Sequence, residues 1–284
     1  MVDKTEDFQI RTMRRSDIDM AIRWAEEEGW NPGLNDAECF YATDPSGFFI
    51  GELDGEPICC MSNVVYDDRF AFAGFYIVIP EYRNHGYGSR LFNEAMSYAG
   101  NRNIGGDGVV EMQEKYQQRS GFTFAYRNIR FEGIGGGTEP EGMIPVSHVS
   151  FDALVDYDSL HFPSRRENFL RSWISQKGCS AFAKLDDSGA IMGYGVIRPC
   201  FTGSKIGPLF ASTPKIAGNI FNSLLATVGE TPVFFDVPEP NTHALAIVQS
   251  HGMSRVFETG RMYTKNVPML PINNIFGVTS FELG

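Results

Sequence analysis

Positive charge is scarce in this chain: across 284 residues, 24 lysines and arginines face 35 aspartates and glutamates, a formal net charge of −11. Such a balance repels phosphate backbones, and the densest basic stretch, Arg11, Arg14 and Arg15, is too short for a nucleic-acid-binding face. No nucleic-acid partner is expected. Long apolar runs are also missing, since the longest, residues 70–80, is about half of the roughly 20 residues a membrane helix needs. It reads as a buried strand, and no membrane association is expected. Cysteines number five, an odd count, with Cys59 and Cys60 adjacent and no CxxC spacing, which excludes a disulfide framework and points to reduced, buried thiols. The histidines His85, His148, His161, His243 and His251 show no metal-ligand spacing; no metal is expected. The opening MVDKTEDFQI is acidic and lacks an apolar segment, so neither a secretory signal nor a transit peptide is expected and the location is taken as cytoplasmic.

What remains is an ordinary globular composition, 43% hydrophobic and 21% charged, with length for about two domains at roughly 150 residues each. A glycine-rich stretch at 135–142 has no hydrophobic periodicity and reads as a linker between units at 1–134 and 143–284. The same order of signals appears on both sides of it. A short helical pattern ending at Phe40 is followed by two strands, 47–55 and 57–65, around an Asp54-Gly55 turn; a pattern holding Phe169 is followed by 180–185, a turn, and 190–197. Phe40 and Phe169, Leu53 and Leu185, and Gly121 and Gly252 are offset by 129, 132 and 131 residues, a near-constant shift that argues for duplication. The fold class expected is α/β, a mixed sheet with flanking helices in two tandem units.

The chemistry is most visible at residues 77–92, IVIPEYRNHGYGSRLF. An apolar strand ends at Pro80, a loop carries Arg83, Gly86 and Gly88, and Leu91, Phe92, Ala95, Met96 and Ala99 have helical spacing. A strand, a glycine turn and a helix start leave unpaired backbone N–H groups at the positive end of a helix dipole, a setting that suits a pyrophosphate.

On these residues the sequence resembles the GNAT superfamily of acyl-CoA-dependent N-acetyltransferases: the Arg-x-x-Gly-x-Gly order from Arg83 to Gly88, the helix after it, and the segment from Tyr116 to Phe122 ending in Gly-Phe. The resemblance covers about residues 8–132. It implies acetyl-CoA as cosubstrate, with Ile77, Val78 and Ile79 along the pantetheine arm and Arg83, Asn84, His85, Gly86, Tyr87, Gly88 and Ser89 as the phosphate cradle. Residues 28–36, 206–211, 236–241, 261–263 and 280–284 further resemble a group of tandem GNAT proteins whose second half was long catalogued as a domain of unknown function. Shifting the cradle by 131 lands on Pro214 to Asn219, where the arginine and the first glycine are absent. One acyl-CoA per chain is therefore expected, in the first half, with the second half walling the acceptor cleft.

Acetyl transfer to an amine needs a proton acceptor and an acid for the leaving thiolate. The strand glutamate that many GNAT enzymes use as base is absent, since Gly74, Phe75 and Tyr76 stand near that place; Glu111 is a replacement candidate, or else a helix-start carboxylate. The resemblance makes Tyr116 the candidate acid, although it lies five residues before Gly121 rather than the family's four; Tyr126 competes. The family builds its acceptor pocket where Trp24, Trp30, Asn31 and Asp36 fall; Trp24 also suits an apolar helix face, Asn31 a turn, and Asp36 a helix start. In the second half, Asp236, Glu239 and Asn241 form a rigid polar loop that either faces a ligand or caps the helix beginning at Thr242. The function expected is acetyl transfer to a primary amine of a small or amino-acid-like molecule by direct attack in a ternary complex; the alternatives are a non-catalytic acyl-CoA sensor and transfer of a longer acyl group.

Overall fold

The computed structural model describes residues 7–284; the acidic opening at 1–6, which enters the expectation of no leader, lies outside them. The first half runs β1 (Phe8–Thr12), α1 (Arg15–Glu27), α2 (Asp36–Thr43), β2 (Phe48–Leu53), β3 (Glu56–Val65), β4 (Phe70–Val78), α3 (Tyr87–Ala99), β5 (Asn103–Val109), α4 (Gln113–Ser120) and β6 (Thr123–Ile134). The second half repeats that order as β7 (Ile144–Pro145), α5 (Phe151–Ser159), α6 (Glu167–Trp173), β8 (Ser180–Leu185), β9 (Ile191–Pro199), β10 (Ser204–Ala211), α7 (Pro214–Ala226), β11 (Pro232–Pro238), α8 (Thr242–Ser250) and β12 (Ser254–Tyr263), and adds β13 (Ile275–Gly277). Residues 135–140 carry neither helix nor strand.

Local chemistry accounts for these elements. Asp54 and Gly55 both take positive φ, 51° and 89°, the conformation that closes a two-residue hairpin between β2 and β3. Ile18, Ala21, Ile22 and Ala25 form the buried stripe of α1, and Leu91, Ala95 and Ala99 that of α3.

All described strands join one sheet in the order β1-β2-β3-β4-β5-β12-β6-β11-β10-β9-β8-β7, with β13 against β10. The centre of this order is an exchange. β12, the sixth strand of the second half, pairs antiparallel with β5 of the first, while β6 of the first half pairs antiparallel with β11 of the second. Each half thus completes the other's sheet, and β6 pairs β12 between them. The core is shared as well: Phe40 of α2 stacks on Trp173 of α6, ring centroids 6.1 Å apart, within a cluster that also holds Phe75, Phe169, Tyr194 and Phe210.

Three buried ion pairs cross between the halves: Asp36 with Arg198, Arg130 with Asp236, and Asp107 with Arg261. Burial alone would push the Asp236 carboxyl up, but the charge and hydrogen bonds of Arg130 outweigh it and hold the group below the usual carboxylate range.

The two halves differ where a strand gives way to a helix. β4 and β5 are parallel but paired only over Phe70–Ala73 and Asn103–Gly106. Beyond that the strands separate: the register of β4 on β3 shifts between Cys60 and Ser62, and Phe75 takes a φ of 48°, a β-bulge that bends the strand. β10 and β11 are likewise paired only over Ser204–Ile206 and Val233–Phe235. There the gap is filled by the chain itself, because β13 lies against β10 at Leu209 and Phe210. The connection to the next helix differs too, eight residues (79–86) between β4 and α3 but two (212–213) between β10 and α7. This corrects the alignment made from sequence: Pro214 to Asn219 are the first turns of α7, with Thr213 accepting a hydrogen bond from the Ile216 amide as its cap, and no counterpart of the first loop is present there.

Candidate active site

The open fork between β4 and β5 leads into a cleft of about 1030 Å³, bordered by β4, the loop before α3, β5, α4 and β12. At its loop end, Asn84 and Gly86 have φ of 67° and 91°, and Gly86 is the N-cap of α3 without a side-chain cap. Glycine is suited to that left-handed position, and a Cβ there would meet nothing within 4 Å. Arg90 N–H returns to the Gly86 carbonyl at 3.2 Å, whereas the amides of Asn84, His85, Gly86, Gly88 and Ser89 have no protein acceptor among the described residues. These donors, at the positive end of α3, fit a pyrophosphate. Arg83 is held over the loop, its Nε donating to the Val78 carbonyl at 2.8 Å and its guanidinium paired with Glu28.

Along the fork, Ile77 and Val78 line the cleft, and Ile79 sits just past it with its N–H bonded to the Ile58 carbonyl. His85 and Tyr87 lie outside the lining; the Tyr87 ring packs on Phe8 at 4.8 Å. Tyr116 faces the cleft from α4, its ring among Tyr76, Phe92 and Phe122. Burial, with a smaller contribution from Tyr76, pushes its phenol well above the usual range, so it stays protonated and able to donate. Glu111 borders the cleft at an exposed position in the turn Val110–Met112. Tyr126, on β6, lies outside the lining beside Arg261 and Tyr263.

Of the acceptor candidates, Trp30 borders the cleft and Trp24 packs against the core of α1. Asn31 exchanges hydrogen bonds with the backbone of Thr202 at 3.0 and 2.9 Å. Asp36 is fully buried, its carboxylate taken by Arg198 and the Gly33 amide. Asp236 is taken by Arg130, Glu239 is exposed outside the lining, and Asn241 caps α8 through the amides of His243 and Ala244. The second half reaches the cleft elsewhere, through Phe257, Glu258, Thr259 and Met262 of β12 and through Phe281 and Glu282 of the closing segment. Sequence reasoning missed these six. Only Met262, within 261–263, and the closing motif at 280–284 had stood out, and then as marks of resemblance.

Gly74 explains how that segment reaches the cleft. A Cβ on Gly74 would sit on the carbonyl of Glu282, with the Glu282 Cα at 3.0 Å. The Tyr66 hydroxyl donates to the Leu283 carbonyl at 2.8 Å, which ties residues 280–284 to the first half, and Arg166 of the second half donates to the Gly284 carbonyl at 3.1 Å.

Burial pushes the thiols of Cys39 and Cys59 up to about 12, which leaves no thiolate there at neutral pH. Among the described residues, no group of three or more His, Cys, Asp or Glu could hold a metal, and no helix is long and apolar enough to cross a membrane.

Comparison with known proteins agrees with this architecture. Residues 16–119 match the acetyltransferase (GNAT) family and residues 154–277 match an acetyltransferase (GNAT) domain. The holothin acyltransferase of Pseudoalteromonas sp. (strain SANK 73390) is 31% identical over 264 residues, 92% of this chain and 89% of the relative. A Pyrococcus horikoshii structure with a provisional acetyltransferase name superposes with a TM-score of 0.83 at 20% identity, covering 98% of this chain and 96% of that one. A tandem GNAT protein from the clavulanic acid biosynthesis pathway gives 0.64 at 12%, covering 92% and 100%. The chain belongs to the GNAT acetyltransferases, with two such domains in tandem, and is by class an acyl-CoA-dependent N-acyltransferase.

Proposed function

We propose that the protein transfers the acetyl group of acetyl-CoA to a primary amine of a small molecule, by direct attack in a ternary complex. The observation that carries this reading is the open fork between β4 and β5, ending at the unpaired amides before α3. The corresponding gap in the second half is closed by β13, which favours one cosubstrate per chain. Bound there, acetyl-CoA would supply the thioester; the loop amides would hold its phosphates and Ile77 and Val78 its arm.

The acceptor side is acidic. Glu28, Asp107, Glu111, Glu258 and Glu282 border the cleft against Arg83 and Lys115, a balance that attracts an amine. Tyr116 is assigned the proton given to the leaving thiolate, because it is buried, protonated and faces the cleft. A small acceptor is favoured by the walls that β12 and the closing segment add, and by a relative named for acylating holothin. That name leaves the acyl group open, and transfer of a longer acyl group is the second reading. Unpaired cysteines suit a reducing compartment, and the cytoplasm is the proposed location.

Calorimetric titration with acetyl-CoA is expected to give one site per chain. Two sites would overturn the assignment of the closed second gap, and none would overturn the cosubstrate. CoA release is then followed with acetyl-, succinyl- and longer acyl-CoAs against holothin, n-butylamine, phenethylamine and a lysine peptide. The absence of CoA release with every amine would favour an acyl-CoA sensor, and acetylation of the peptide alone would overturn the small acceptor. Tyr116→Phe is expected to lower kcat about 100-fold, the lower end for loss of a general acid, with acetyl-CoA affinity retained. A variant turning over at the wild-type rate would exclude Tyr116 as the donor.

A further inference from the structure

Attack by an amine requires a group that takes its proton, and β4 itself, FAFAGFYIV, offers no carboxylate. Four of the five carboxylates bordering the cleft are otherwise committed or poorly placed. Asp107 accepts from Arg261 and Asn128, Glu258 pairs with Arg127 and Arg255, Glu28 pairs with Arg83, and Glu111 is exposed. Glu282 differs on both counts. It is 3% exposed and has no hydrogen-bond or ion-pair partner among the described residues. Its oxygens are also not among the buried polar atoms sealed off without a partner, and the residue borders the cleft.

We infer that Glu282, delivered to β4 by the closing segment of the second half, is the catalytic base that accepts the proton of the acceptor amine. The inference rests on the transfer reading above and adds to it the residue that completes the proton path. The absent side chain of Gly74 belongs to the same arrangement: only a glycine there leaves room for the Glu282 backbone beside the fork. The charged groups facing Glu282 from the elements behind it are Arg130 of β6, Arg198 of β9 and Lys205 of β10, each of which feels its charge. Arg130 and Arg198 are answered by Asp236 and Asp36, and Lys205 donates to the carbonyls of Trp30 and Asn31.

Once the bound ammonium has released one proton to solvent, the neutral amine nitrogen forms a bond to the thioester carbonyl carbon while a remaining N–H proton passes to the Glu282 carboxylate. The C–S bond breaks, sulfur leaves with the electron pair, and the Tyr116 hydroxyl protonates it. Glu282 then returns its proton to the Tyr116 phenolate through water in the cleft, so that amine and thioester give amide and free thiol.

The test uses the full chain and Glu282→Gln, which keeps side-chain shape and the backbone contact at Gly74. Acetyl-CoA affinity and melting temperature are expected to match the wild type, while kcat with holothin or phenethylamine falls about 100-fold or more. Calorimetry without acetyl-CoA is expected to show weaker binding of the same amine, because its ammonium loses a counter-charge, and Glu282→Asp is expected to recover part of both. Equal turnover by wild type and Glu282→Gln overturns the inference, as does a loss carried by Glu111→Gln instead. A wild type that binds acetyl-CoA but acylates no amine also overturns it. A wild type that binds no acetyl-CoA fails earlier, at the cosubstrate assignment itself.

Discussion

Gly86→Glu is expected to abolish acetyl-CoA binding while leaving the fold intact. Gly86 has a φ of 91°, and a Cβ built on it meets nothing within 4 Å. The backbone strain of a non-glycine residue is therefore the main cost to the protein, about 1–2 kcal/mol. The cost to the ligand is larger. The new carboxylate would stand among the unpaired amides that are to receive a pyrophosphate, and two like charges about 4 Å apart repel by about 4 kcal/mol at a surface-like dielectric. The repulsion alone corresponds to about a thousandfold loss of affinity. Gly86→Ala carries the strain without the charge and should lose about tenfold or less. Calorimetry on the two variants separates the terms, and wild-type affinity in Gly86→Glu would place the phosphates elsewhere.

The first half was legible because its signals are local. An Asp-Gly turn between alternating strands, an apolar strand, a glycine loop and a helix stripe each announce themselves within about ten residues, and all appear where they were expected. The strand exchange was not legible. β6 and β12 occupy equivalent places in the repeat, and nothing in their own residues says that β12 pairs with β5 rather than with a strand of its own half. The closing segment was illegible for a related reason: the roles of β13 and Glu282 depend on gaps whose edges lie far back in the chain, at Leu209 and Gly74. The polar residues divide along the same line. Asn241 caps α8 just after it and could be read either way, but whether Asp36 faces a ligand or an arginine is decided by Arg198, 162 residues later.

That pair carries the second large expectation. Asp36→Ala should destabilise the protein by about 3–5 kcal/mol, because it leaves a buried guanidinium without its counter-charge. Arg198 is fully buried, one of its terminal nitrogens already lacks a partner, and its remaining hydrogen bonds go to Asp36 at 2.8 and 3.1 Å. The ring of Trp173, 4.2 Å away, offers a cation–π contact that cannot replace a carboxylate. The pair as a whole is a different matter, since desolvating both ions offsets most of their attraction. Asp36→Leu combined with Arg198→Met should therefore recover most of the lost stability, and urea denaturation of the single and double variants measures both quantities. The same carboxylate accepts from the Gly33 amide at 2.9 Å and so steadies the turn after Trp30, whose indole borders the cleft and whose carbonyl receives Arg130 and Lys205. The double variant loses that hydrogen bond even if it regains stability, so it should bind acetyl-CoA normally yet show a raised KM for the amine. A single variant as stable as the wild type would mean that water reaches Arg198 and that the seam between the halves is looser than its burial indicates.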